Sequence, residues 1–168
     1  MVEFITFYLR VLTSNLTKMI EEIFPTIYNK ALDIISRREH SKKEVRDKLL
    51  KKFDDLSVIE DVIEDVIEKL IKNSLLNDSR YAEMYTRARK RKGFGPKRIG
   101  FELNSRGVSE TLSSIAIEEE GGWLEAAENA FNKKFKDGIS LDFKTKLKQK
   151  SFLQNRGFSF KEIDSIFS

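Results

Sequence analysis

The chain has 168 residues, no cysteine, one histidine and a net charge of +4. Without cysteine it has no disulfide, no thiol nucleophile and no cysteine-ligated metal site, and its single histidine excludes a histidine-rich metal site. No apolar run approaches the roughly 20 residues of a transmembrane helix, and residues 1–25 lack the basic start and small-residue cleavage site of a signal peptide. We therefore expect a cytoplasmic protein.

The predicted elements are helices, because two prolines and eight glycines are few turn residues for a chain of this length. After residues 1–25, whose fold the sequence leaves open, a capping box that begins at Ser41 predicts the start of one helix. A second box begins at Ser57 and predicts the next helix, over 57–72. Its apolar residues recur in pairs every four positions, which is typical of a packed amphipathic helix.

Two features that resemble catalytic or metal-binding sites have simpler interpretations. His40 stands in a predicted turn, where we expect a solvated side chain rather than a catalytic one. The paired acids of the 57–72 helix are expected on its outer face, where they serve solubility; they are Glu60, Asp61, Glu64 and Asp65. We predict no catalytic residue, no metal and no cofactor.

The later part of the chain repeats itself. Residues 103–109 (LNSRGVS) match residues 153–159 (LQNRGFS) at an offset of 50, and a weaker copy begins at Leu49. In the two close matches, Leu103 and Leu153 are predicted core residues, and Gly107 and Gly157 are predicted to end a helix with a positive φ. A serine caps the next helix in each, and Trp123 is expected to anchor the core of the last unit. The pattern predicts an N-terminal extension, 1–25, and three units of three helices each, 26–74, 78–120 and 122–168.

Charge alternates along the chain with the same period. Residues 37–52 carry a net charge of +5 and residues 54–68 carry −7. Residues 80–106 carry +7, and residues 110–128 carry −6. If the units stack in register, the basic elements would share one side and form a binding surface for an anionic partner.

The basic segment 80–106 supplies the candidate binding residues. Arg80, Arg87 and Arg91 fall in one row of a predicted helix, where they could meet phosphates or acidic side chains. The row borders a predicted buried stripe that consists of Tyr81, Met84, Tyr85 and Ala88. The alternative is a solvated flank whose aliphatic stems cover the core.

The next predicted helix carries an aromatic residue among cations. Phe101 is predicted to point away from the buried face, between Lys97 and Arg98, as an interface residue or base-stacking platform would; packing against the neighbouring repeat is the favoured interpretation. The link before this helix is basic but has no glycine-rich nucleotide loop. The complete candidate set is Arg80, Arg87, Arg89, Lys90, Arg91, Lys92, Lys97, Arg98, Phe101 and Arg106.

In their order and spacing, several short motifs resemble the RecX family, bacterial regulators of the RecA recombinase. They are SKKEV at 41–45, LLNDSRYA at 75–82, GPKRI at 95–99, RGV at 106–108 and FLQNRGF at 152–158. The resemblance covers about residues 28–168 and implies an all-α, elongated, right-packed array of three tandem three-helix repeats. Residues 1–25 match poorly, and could be a remnant of the β-rich extension that some relatives carry.

The resemblance also implies a function. It implies a monomeric binding protein, not an enzyme, that lies in the groove of the RecA–DNA filament and inhibits its ATPase and strand exchange, with effects on recombination, DNA repair and the SOS response. Contact with single-stranded DNA is compatible with this role. Two alternatives remain open: a general nucleic-acid-binding helical protein without a specific protein partner, and an enzyme with a carboxylate site.

Overall fold

The computed structural model describes residues 2–53 and 59–168, with side chains from residue 17 onward in these ranges. Within them the chain forms nine α-helices and no strand, which confirms the all-α prediction. The helices are α1 (Val2–Ile35), α2 (Lys42–Lys52), α3 (Ile59–Lys72), α4 (Asp78–Arg91), α5 (Pro96–Ser105), α6 (Glu110–Glu120), α7 (Trp123–Lys134), α8 (Phe143–Arg156) and α9 (Phe160–Phe167).

Helix α1 includes most of the N-terminal segment 1–25, whose fold the sequence leaves open. Residues 2–25 are helical and not β-rich, because α1 extends over 34 residues without a break. Pro25 lies inside the helix, where a proline removes one backbone hydrogen bond. Ile20, Ile23 and Phe24 nevertheless pack against the core of the first three helices, and this apolar contact stabilises helix on the N-terminal side of the proline.

Helix α3 has the amphipathic pattern that its sequence predicts. The buried residues include the pairs Val62 and Ile63, and Val66 and Ile67. The acids Glu60, Asp61, Glu64 and Asp65 are exposed, as predicted. The helix begins at Ile59; the predicted cap Ser57 and the first apolar residue of the stripe, Val58, lie outside the described residues.

The predicted helix ends are confirmed at several positions. Ser41, Ser109 and Ser159 each accept a hydrogen bond from a backbone N–H in the first turn of the following helix. The φ angles of Gly107 and Gly157 are 81° and 92°, in the left-handed region that glycine adopts without a Cβ clash.

The last six helices contain two cores with matching centres. Leu103 lies fully buried among α4, α5 and α6, and Leu153 lies fully buried among α7, α8 and α9. These two leucines occupy the same place in the matched sequences. The compact units of the chain are Met1–Asn77 and Asp78–Ser168, so both of these cores belong to one unit. None of the described helices combines the length and apolarity that crossing a membrane requires.

Candidate binding surface on the second and third helical units

Helix α4 carries the predicted arginine row, and its buried face differs from the predicted stripe. Of that stripe, Tyr81 is buried, Tyr85 and Ala88 are partly buried, and Met84 is 49% exposed. Ala82 and Thr86 are fully buried instead. The physical reason is that α4 packs against both α5 and α6, so the face that it buries includes positions beyond a single stripe.

The three arginines of the row differ in their surroundings. The Arg87 side chain is 60% exposed, and its Nε lies 3.6 Å from a carboxylate oxygen of Glu120. Arg91 is exposed, and its Nε donates to the Arg87 carbonyl oxygen at 3.4 Å. Arg80 is partly buried. The row therefore leaves Arg87 and Arg91 as its accessible members.

Glu102 on α5 gathers several of the predicted binding residues into an internal network. Its carboxylate accepts hydrogen bonds from the Tyr85 hydroxyl, at 2.9 Å, and from the guanidinium groups of Arg89 and Arg98. Burial would raise the pKa of Glu102, but these hydrogen bonds outweigh it and leave the pKa below its ordinary value. The Arg89 side chain is only 19% exposed, so it holds α4 to α5 and offers little to a partner.

The basic link after α4 is fixed to the end of α8 rather than free. The N–H of Gly95 donates to the Arg156 carbonyl at 2.8 Å, and the N–H of Lys97 donates to the Gly157 carbonyl at 3.0 Å. Arg156 in turn donates through Nη1 to the Lys92 carbonyl at 2.9 Å. These bonds join residues about 60 positions apart, so the second and third helical units meet in one fixed junction.

An aromatic ring lies at the centre of that junction. Three guanidinium groups stack near the Phe94 ring, with those of Arg89, Arg98 and Arg156 at 3.7, 4.8 and 4.8 Å from its centroid. Stacking on a ring is favourable for each guanidinium. Arg98 also donates to the Asn155 carbonyl at 3.3 Å, which makes it a junction residue as well as an exposed cation.

A cleft of about 510 Å³ opens beside the junction. Its basic lining residues are Lys90, Arg91, Lys92, Lys133, Lys134 and Arg156, and its acids are Glu120 and Glu125. Lys90 pairs with Glu120 at 3.2 Å. Lys133 and Lys134, in the last turn of α7, are outside the candidate set that the sequence predicts, since they lie some 40 positions from α4.

Phe101 differs from the favoured interpretation of its role. Packing against the neighbouring repeat is wrong, because 75% of the side chain is exposed. Lys97 and Arg98, on the same helix, are exposed too, and the Lys97 ammonium lies 5.5 Å from the ring of Phe160, which is itself 64% exposed. Phe101 faces outward for the reason that the sequence gives: it points away from Ile99 and Leu103.

Other predicted residues have mixed positions. Lys92 is exposed, and Arg106 is partly buried with its guanidinium 4.9 Å from the Tyr85 ring. Trp123 is partly buried and packs against the cores of both the second and the third units, not the third alone.

No group of three or more potential metal ligands occurs among the residues whose positions are described.

His40 is not the solvated turn residue that the sequence predicts. Its side chain is 2% exposed. The ring Nδ1 lies 2.8 Å from the Arg38 carbonyl and the ring Nε2 lies 2.7 Å from the Lys48 ammonium. Both partners satisfy a buried ring without any catalytic arrangement.

Comparison with known families assigns all three helical groups. Residues 28–70, 77–117 and 124–167 match the models described as the first, second and third three-helix domains of RecX. These matches together span most of the chain, and each contains one of the three sets of helices.

Whole proteins give the same result. The regulatory protein RecX of Vibrio parahaemolyticus is 38% identical over 147 residues, which cover 86% of this chain and 92% of the relative. The regulatory protein RecX of Pseudomonas fluorescens is 34% identical over 139 residues, or 82% of this chain and 87% of the relative. The crystal structure of RecX from Lactobacillus salivarius superposes with a TM-score of 0.71 at 28% identity, covering 88% of this chain and 96% of that one.

Proposed function

Since the chain belongs to the RecX family of regulatory proteins, we propose that it binds the RecA–DNA filament as a cytoplasmic monomer and inhibits its ATPase and strand exchange. Through this inhibition it regulates recombination, DNA repair and the SOS response. The chain acts by binding and performs no chemistry. A protein that binds one filament state more tightly than another shifts the population toward that state, so turnover slows without a catalytic group.

The observation that carries this proposal is a set of exposed cations held on a fixed frame. The α4–α5 surface consists of the exposed cations Arg87, Arg91, Lys92 and Lys97, which flank a junction that backbone hydrogen bonds hold in place. An exposed charge pair contributes less than about 1 kcal/mol. Affinity for an anionic filament therefore comes from several such contacts at once, and a fixed frame lowers the entropy that binding costs.

Phe101 adds an apolar anchor to this surface. An exposed aromatic ring among cations is the kind of residue that contributes strongly at protein interfaces. The same ring could stack on an unpaired base, which the alternative of a general nucleic-acid-binding protein requires. A RecA–DNA filament presents both protein and phosphate, so it can contact the Phe101 ring and the cations together.

The proposal predicts the effect of a triple reversal, Arg91→Glu, Lys92→Glu and Lys97→Glu. These side chains are exposed, whereas Arg89 and Arg98 hold Glu102 and are left intact. The concentration that half-inhibits the DNA-dependent ATPase of the cognate RecA should rise at least about tenfold at fixed salt, which corresponds to ~1.4 kcal/mol. Far-UV circular dichroism and the melting temperature should stay as in the wild type.

A matched control carries the same change of charge elsewhere in the same unit. Lys144→Glu, Lys148→Glu and Lys161→Glu reverse three exposed lysines of α8 and α9 that do not line the cleft. We expect this control to inhibit within about twofold of the wild type. Equal inhibition by both triple variants and the wild type, with all three folded, would show that the α4–α5 surface does not bind the filament.

A further inference from the structure

A second basic surface lies in the first unit and involves none of the residues named in the proposed function. It is a cleft of about 550 Å³ formed by the end of α1, the turn that follows and α2. Six basic side chains line it: Lys30, Arg37, Arg38, Lys48, Lys51 and Lys52. Among the described residues, Asp33 is the one carboxylate in this lining, so positive charge far exceeds negative charge.

The existing ion pairs leave much of this positive charge uncompensated. Lys30 and Arg37 share the single carboxylate of Asp33, at 2.8 and 3.4 Å. Arg38 pairs with Glu44 at 3.0 Å. Across residues 2–53 and 59–168, no acidic partner is seen for Lys51 or Lys52, which are both exposed. Among the described residues the lining therefore carries more positive charge than its carboxylate partners offset.

His40 holds one of these cations in place without neutralising it. The buried ring receives the Lys48 ammonium at its Nε2, 2.7 Å away, and its Nδ1 donates to the Arg38 carbonyl at 2.8 Å. Burial lowers the pKa of His40, so the ring is neutral and acts as an acceptor near pH 7. An ammonium fixed by a neutral acceptor keeps its full charge for a ligand, and its position costs little entropy on binding.

Helix stability alone does not account for this arrangement. Lysines near the C-terminal end of a helix interact favourably with the helix dipole, which suffices for Lys51 and Lys52 at the end of α2. It does not explain why Lys30 of α1 and Arg37 of the following turn line the same cleft. Like charges brought together repel one another, and a bound anion offsets that repulsion through its attraction to each cation.

The lining also indicates which kind of anion fits. Ile34 is the one apolar side chain among the lining residues that the structure describes, and none of these residues is a phenylalanine, tyrosine or tryptophan. A base would find no surface to stack on, and an acidic peptide would find no apolar pocket for an anchor. We propose that this cleft binds consecutive phosphate groups, either the backbone of a single-stranded nucleic acid or an inorganic polyphosphate chain, without reading the bases.

The test uses the full-length protein without RecA, so that its result does not depend on the proposed function. The variant Lys51→Glu/Lys52→Glu reverses two exposed charges of the cleft. The control Lys18→Glu/Lys72→Glu makes the same change of charge at two exposed positions of the same unit outside the lining. Circular dichroism should be the same for all three proteins, since none of these side chains is buried. The melting temperature should fall slightly in both variants, because each reverses at least one lysine in the last turn of a helix.

Two probes distinguish the sources of phosphate: a fluorescein-labelled oligo(dT) strand, and long-chain inorganic polyphosphate in competition with it. We expect the cleft variant to bind at least about tenfold more weakly than the wild type, and the control to stay within about twofold. If the cleft variant loses affinity for oligo(dT) while polyphosphate competes as it does with the wild type, the cleft binds nucleic acid. If polyphosphate also competes more weakly, the cleft binds phosphate chains in general. Unchanged binding of both probes by the cleft variant would overturn the proposal.

Salt dependence provides an independent readout. Each phosphate contact with a single strand contributes about −0.7 to the slope of log affinity against log salt concentration. Loss of two contacts should therefore make the slope for oligo(dT) less steep by about 1.4. As a milder variant, Lys48→Met keeps an unbranched apolar side chain and removes the charge, and it should shift the slope in the same direction. Parallel slopes for wild type, the double variant and Lys48→Met would contradict phosphate contact in the cleft.

Discussion

At the scale of single residues, His40 has a property that can be measured directly. Burial lowers its pKa, and the charges of Arg38 and Lys48 lower it further, against the opposing effects of the hydrogen bond to the Arg38 carbonyl and the charge of Glu44. The unfolded chain has an ordinary histidine pKa of about 6.5. As the pH falls below that value, the unfolded state takes up a proton before the folded state does.

This order of protonation predicts acid sensitivity with a definite sign. The stability that the neutral ring supports is complete above about pH 6.5 and declines as the pH falls toward the lower pKa of the folded state. His40→Asn keeps a donor for the Arg38 carbonyl and removes the titration. In urea unfolding at pH 7.5 and pH 5.5, the wild type should lose more free energy of unfolding than this variant. Equal losses in both proteins would mean that His40 does not titrate differently on folding.

The sequence could not reveal the burial of His40, for a physical reason. The neighbours Arg38, Glu39 and Ser41 are typical of a solvated turn, and Ser41 does cap α2 as predicted. The ring is buried although His40 belongs to the lining of the cleft, and its acceptor role depends on Lys48 in the next helix. Local pattern predicts turns and caps, but it does not predict which side chains a turn covers.

At the scale of elements, the turn at Gly157 joins two helical units, and the structure predicts how it responds to substitution. A Cβ at Gly157 would lie 2.5 Å from the backbone nitrogen of Arg98. Gly138 also has a positive φ, of 77°, but a Cβ there would meet no atom within 4 Å. Gly138→Ala is therefore a control that has the same backbone strain without the clash.

We expect Gly157→Ala to cost more free energy of unfolding than Gly138→Ala. The strain of a left-handed alanine, about 1–2 kcal/mol, applies to both. The clash with Arg98 adds about 1–3 kcal/mol to Gly157→Ala, because neither backbone can move without breaking the bonds of the junction. Urea denaturation of the two variants measures the difference. Equal destabilisation would show that the two units do not meet closely at Gly157.

The same turns show how far sequence predicts elements. The matched segments around Leu103 and Leu153 predict two buried leucines and two left-handed glycines, and the structure confirms all four. These features are predictable because they follow from local periodicity and turn chemistry. The junction between Arg156 and the Gly93–Gly95 link was not predictable, since it joins residues about 60 positions apart. The sequence leaves the fold of residues 1–25 open for a similar reason: the part of α1 just before Pro25 packs on a core whose other residues come later in the chain.

At the scale of the whole molecule, the weak net charge of +4 conceals two separate concentrations of positive charge. One is the α4–α5 surface with Phe101 and the cleft beside it, in Asp78–Ser168; the other is the cleft of α1 and α2, in Met1–Asn77. The sequence predicted the first surface as a basic segment. It did not predict that Glu102 and Glu120 pair with part of that segment, which reduces the set of available cations to the exposed ones.

The central claim is that this protein binds the RecA–DNA filament more tightly than it binds nucleic acid alone. The most direct measurement is co-sedimentation of the wild-type protein with cognate RecA filaments, assembled on oligo(dT) with a slowly hydrolysed ATP analogue, compared with the same oligo(dT) without RecA at the same salt concentration. Affinity for the filament should exceed affinity for the bare strand at least about tenfold, or ~1.4 kcal/mol. Equal or tighter binding to the bare strand would contradict the claim and favour a general nucleic-acid-binding protein.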